Sequence, residues 1–224
     1  MSSSRDLESV WAFREEVLYP QLFGVESRGI FVLDQGDFAA LGRADCDPRW
    51  LHLGILEYAP TAARPTWLYV TSGGSTPWEQ EPGEYKADEY SWLGVEFMLE
   101  TVEPSDWAIA LLKRLMAYHV LTMHGQFGDR PGIGYGSRIP IRAPLDRDRS
   151  VLDGVIAVRP QCVSATQHLP SGKFDLVELV GVSSEELDFG KANGTEALVE
   201  RLQVAGISNV TDVHRGSVCR AMPS

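Results

Sequence analysis

The sequence predicts one mixed α/β domain of the α+β kind, a mixed and largely antiparallel sheet flanked by helices. Short runs rich in β-branched and aromatic residues outnumber the helical stretches. The clearest helix, opened by Pro104-Ser105, carries Trp107, Leu111, Leu115 and Tyr118 at helical spacing. No repeat, low-complexity tract or linker divides the 224 residues, so residues 1–224 are expected to form a single domain.

The elements follow in order. Ser4 is the expected N-cap of a first helix, with Asp6 and Glu8 favoured in its first turn and Leu7, Trp11, Leu18 and Leu22 on one face, ending at Pro20 or Gly24. Strands are expected over 29–34, 50–58 and 65–72, each closed by Gly or Pro signals. Residues 73–91 read as a polar loop, and Ser72-Gly-Gly-Ser75 as a turn rather than a nucleophile elbow. Trp92–Glu100 is apolar on both faces, as in a strand covered from both sides. The main helix should run to Met123. Five glycines and a proline make 125–136 a loop, followed by an edge strand within 139–145. Residues 155–162 and 174–182 read as a hairpin-like pair turned by Leu169-Pro-Ser-Gly172, with the second strand central. Ser183-Ser-Glu-Glu-Leu187 starts a helix, Asn193 with Glu196 resembles a cap for the next, and 207–213 is a last strand.

Composition narrows the function. With 44 % hydrophobic and 23 % charged residues and a mean hydropathy of −0.13, the chain has globular composition, and no run of about 18 apolar residues occurs. Cys46, Cys162 and Cys219 are odd in number and widely spaced, which together with the acidic, leaderless start points to the cytoplasm. A net charge of −11 opposes nucleic acid as a partner. Residues 79–106 carry nine acids against Lys86, a local −8, whereas residues 113–149 carry seven bases against three acids, a local +4.

Motifs for chemistry are weak. His119 and His124 are five apart, about 140° around a helix, and no HExxH pattern accompanies them, so no metal site is expected. Gly132-Ile-Gly-Tyr-Gly136 follows a helix and lacks the dinucleotide spacing, so no cofactor is expected. Glu185 and Glu186 read as the acidic first turn of a helix. What remains is a band of aromatics interleaved with acid, a composition suited to a protein interface. Trp67, Tyr69 and Trp92 are expected in the core, and Trp78, Glu79, Glu81, Glu84, Tyr85, Asp88 and Glu89 are the candidate partner surface.

Five segments in order resemble the Suppressor of fused domain: Trp67-Leu-Tyr-Val-Thr-Ser-Gly73, Gly94-Val-Glu-Phe-Met-Leu99, Trp107 through Tyr118, Lys173 through Leu187, and Val210-Thr-Asp-Val-His-Arg-Gly-Ser217. The resemblance implies a mixed α/β domain and no enzymatic activity. Animal members hold transcription factors and carry a further C-terminal domain, which this chain, ending soon after Ser217, is expected to lack. It carries Ser137 or Gly136 where animal members place an acid before the pair corresponding to Pro144-Leu145, so a Gli-type partner is not expected. Stand-alone bacterial forms, which include immunity proteins that neutralise toxins, resemble it better in length. The expected function is therefore non-enzymatic binding of a protein, a basic toxin or effector, with no membrane. The alternatives are an intracellular regulator of another protein, or a small-molecule enzyme with Tyr118, His119, His124 and Asp212 around a pocket.

Overall fold

The computed structural model describes residues 3–219. Eight strands form one sheet in the order β1-β2-β3-β4-β8-β6-β5, with β7 paired to β8. The strands are β1 Glu26–Val32, β2 Gly54–Tyr58, β3 Trp67–Ser72, β4 Tyr90–Thr101, β5 Arg138–Pro140, β6 Leu152–Val158, β7 Thr166–Leu169 and β8 Gly172–Ser183. Every pairing is antiparallel except β4 with β8, so the sheet is mixed and largely antiparallel as expected. The expected central strand is β8, which pairs with three others.

Helices cover both faces, and strand alternation distributes the core between them. The long helix α4, Asp106–Met123, packs on Phe97, Leu99, Val177 and Leu179. The N-terminal helix packs on Leu56, Leu68, Val70 and Met98. At the far end, α5 Ser184–Asn193 and α6 Thr195–Val204 cover Ile156, Val180 and Val182.

The N-terminal helix departs from its expected face. It runs as α1 Ser3–Ala12, a π-helical stretch Phe13–Leu18 and α2 Tyr19–Phe23. The buried residues are Val10, Arg14, Tyr19 and Phe23, while Leu7, Trp11, Leu18 and Leu22 are half-buried. The spacing of 4, 5 and 4 is that of a helix widened by one residue in its middle turn, which a 3.6-residue period cannot anticipate. Ser4 lies inside α1 rather than capping it.

Other differences have local causes. Asp47 caps a 3-10 turn over Pro48–His52, so the strand expected from residue 50 begins at Gly54. A short helix α3, Gln35–Ala39, forms where only a strand end was expected, because Asp34 and Asp37 make a reciprocal capping box. Pro140, which lacks an N–H, ends β5 after three residues. The turn at Leu169–Gly172 joins β7 to β8, although β6 does pair with β8. Asn193 ends α5, and Gly194, at φ 98°, makes the junction to α6. In place of the strand expected over 207–213 there is one parallel bridge, Thr211 to Thr101.

Candidate functional site

The acidic segment rests on a buried polar frame. Glu96 on β4 is fully buried, and its carboxylate accepts from the Gly73 and Ser75 N–H groups at 2.9 Å and from the Thr71 and Ser75 hydroxyls at 2.6 and 2.7 Å. Arg14, 1 % exposed, donates to Ser72, Ser75 and Thr76 and sits 3.8 Å from Glu96. Residues 73–77 are therefore buried, which corrects the reading of 73–91 as a polar loop throughout. Only glycine fits at position 74, where a Cβ would lie 2.3 Å from the Val95 carbonyl oxygen. Glu96 and Glu100 are both buried, so the local −8 of the sequence is not all surface charge.

From that frame the segment emerges held at both ends. Trp78 is half-buried, edge-on to Trp11 at 5.4 Å and 5.8 Å from His52. Gln80 accepts the Trp92 N–H at 2.7 Å, Glu84 accepts the Glu81 N–H at 2.9 Å across the 3-10 turn Pro82–Glu84, and Lys173 donates its N–H to the Glu89 carbonyl at 2.8 Å. Tyr85 is half-buried against the N-terminal helix cluster, and burial, then Asp6 and Glu81, raise its phenol pKa. Glu79, Glu81, Glu84, Asp88 and Glu89 are exposed. Glu79 reaches His124 at 3.3 Å and Arg49 at 4.0 Å, and Glu89 pairs with Lys86 at 2.7 Å, raising the lysine pKa. The two aromatic candidates face inward and anchor the segment, while the five carboxylates face solvent.

The residues of the enzyme alternative go to different places. His119 is buried under the sheet, where its Nδ1 accepts the Ile133 N–H at 3.0 Å. Burial holds its pKa down to about 4, so the ring is neutral near pH 7. Tyr118 stacks on Phe127 and lines a groove beside β5. His124 ends α4 between the rings of Trp50 and Trp92. Asp212 accepts the His214 N–H in the C-terminal segment. Among the described residues no group of three or more His, Cys, Asp or Glu is placed to hold a metal ion.

Two features escaped the sequence reading. One is a groove of about 570 Å³ between α4 and β5, whose lining includes Arg114, Arg130, Arg138 and Arg142. The local +4 of residues 113–149 was its signal, but spacing did not reveal that four arginines share one cavity. The other is the pairing of Glu186, read as a first-turn acid, with Arg215.

These features define an α+β domain, a mixed and largely antiparallel sheet with helices on both faces. The sequence profile of the Suppressor of fused protein (SUFU) family matches residues 49–216, and the chain belongs to that family. No curated protein matches it. Among solved structures it is similar to Drosophila Suppressor of Fused (20 % identity, TM-score 0.57), covering 74 % of this chain and 42 % of that one. It thus spans about two fifths of the Drosophila chain. A chain of the Sufu–Fu complex (18 % identity, TM-score 0.63) is covered over 91 % of its length, with 96 % of this chain. A SUFU homologue from Neisseria gonorrhoeae (20 % identity, TM-score 0.51) is covered over 80 %, with 76 % of this chain. At these identities the similarities establish the fold.

Proposed function

We propose that this chain is a non-enzymatic protein-binding domain of the immunity type, which acts in the cytoplasm and neutralises a basic toxin by docking it on the segment Trp78–Glu89. The observation that carries the reading is the presentation of that segment. Five exposed carboxylates sit on a stretch pinned by Trp78, Gln80, Tyr85 and the Glu89 carbonyl, so the surface is preorganised and little ordering entropy opposes binding. A chain of the same fold occurs in the Sufu–Fu complex, which supports protein binding as the general mode. The three cysteines are unbridged thiols, in keeping with a reducing compartment. No helix of the described residues is long and apolar enough to cross a membrane.

The test is affinity capture from native lysate at low and high salt, followed by expression of the captured protein with and without this chain. The reading expects one basic partner, released at high salt, whose expression arrests growth unless this chain is present. A captured partner that is harmless alone would instead make the chain a regulator. Capture of nothing at either salt would remove protein binding as its function.

A further inference from the structure

The groove beside β5 gathers positive charge on this acidic chain, with Arg114, Arg130, Arg138 and Arg142 in its lining. The guanidinium groups of Arg114, Arg130 and Arg142 form no hydrogen bond or ion pair among the described residues, and all three line the same cavity. Arg138 completes the set, tied by one nitrogen to Thr195 and the Gly136 carbonyl.

The backbone also holds one of them in place at a cost. Arg142 has φ 62°, in the left-handed region that disfavours side chains with a Cβ. Its N–H and that of Ile141 both donate to the Asp153 carbonyl, at 2.9 and 2.8 Å, which fixes the kink. An exposed arginine kept in a strained conformation on a cavity rim points to a ligand.

The lining selects the ligand. Guanidinium forks match phosphate oxygens in pairs. The cavity also has apolar lining, with Leu115, Ile133 and Ile139 beside the aromatic Tyr118, whose ring stacks on Phe127 at 5.2 Å. The volume of about 570 Å³ falls within the span of small-molecule sites. An added peptide strand fits less well. β5 is three residues long, Pro140 has no N–H, and the N–H groups of Ile141 and Arg142 are already used. Recognition must therefore run through side chains.

We propose that this groove binds an organic polyphosphate with a flat apolar moiety, the chemistry of a nucleoside di- or triphosphate. The test is isothermal titration of the full chain with ATP, AMP and inorganic pyrophosphate, repeated on an Arg114→Gln/Arg130→Gln variant. Both arginines are without partners in the fold, so the variant should keep the wild-type melting temperature. The site should take one ATP, more tightly than AMP because of charge and more tightly than pyrophosphate because of the apolar lining. The double variant should weaken ATP about 100-fold, roughly tenfold per lost charged contact. Absence of ATP binding, or equal binding by the variant, overturns the proposal. Pyrophosphate binding as tightly as ATP would reduce the groove to a simple anion patch and overturn it too. So would a glutamate-rich peptide that binds more tightly than ATP, which would make the groove a docking surface. Neutralising the acidic segment Trp78–Glu89 should leave ATP binding intact, so the two readings fail separately.

Discussion

Arg215 closes its guanidinium on the Glu186 carboxylate with two bonds, of 2.7 and 2.8 Å, where the carboxylate has no exposure and the guanidinium side chain 9 %. The carboxylate also accepts the N–H groups of Ser183 and Val218, and the guanidinium donates to the Gly181 carbonyl. One ion pair thus fastens the C-terminal segment to the junction of β8 and α5. Removing one partner leaves a buried charge uncompensated, so Arg215→Ala should cost about 3–5 kcal/mol in urea unfolding. Arg215→Lys should recover only part of this, because an ammonium cannot form the fork. An unchanged unfolding midpoint for Arg215→Ala would contradict the role.

Gly74→Ala should destabilise by about 1–3 kcal/mol, because its Cβ meets a backbone carbonyl that cannot swing aside. Gly83, in the exposed 3-10 turn, is the control. Nothing lies within 4 Å of a Cβ there, so Gly83→Ala should be neutral or slightly stabilising in the same thermal scan. Equal effects would mean that the Gly73–Gly74 turn is not packed as described.

Phe174 and Leu179 on β8 are fully buried, on opposite faces of the sheet. Either residue changed to alanine should lose about 2–5 kcal/mol in chemical denaturation. A wild-type midpoint for either variant would displace that residue from the core.

Glu178 gives a pH signature. Burial, with the neighbouring Glu100 carboxylate, raises its pKa to about 7, against the lowering effect of the Asn209 side-chain hydrogen bond. The folded state then holds a proton that the unfolded chain releases at about pH 4.3. Its stability contribution is present below that value, declines as pH rises toward 7 and is absent above it. Glu178→Gln mimics the protonated form at every pH. The melting temperature of the variant relative to wild type should therefore climb between pH 5 and about 8, measured by calorimetry across that range. A difference independent of pH would show that Glu178 is ionised throughout.

Much of the fold was legible because its signals are local. The stripe on α4 and the two-faced apolarity of β4 depend on neighbours within a few residues, and both elements formed where expected. The N-terminal face was not legible, since a π-helical stretch shifts Tyr19 one position relative to Arg14. The buried frame around Glu96 was not legible, because its partners come from the turn at 73–75 and from Arg14, which lies 82 positions away in the chain. The groove was hidden for the same reason, its arginines being contributed by α4, the following loop, β5 and the kink after it. Local composition marked the acidic segment, yet only the fold shows Trp78 and Tyr85 turned inward and the carboxylates outward.

The measurement that bears most directly on the central claim is the association rate of the captured partner, recorded against ionic strength for wild type and for a variant with Glu79, Glu81, Glu84, Asp88 and Glu89 all changed to the corresponding amides. Steering by these carboxylates predicts a wild-type rate that falls steeply with salt and a variant rate that is slower and nearly flat. Identical rates and salt dependence in the two proteins would contradict the assignment of this segment as the partner surface.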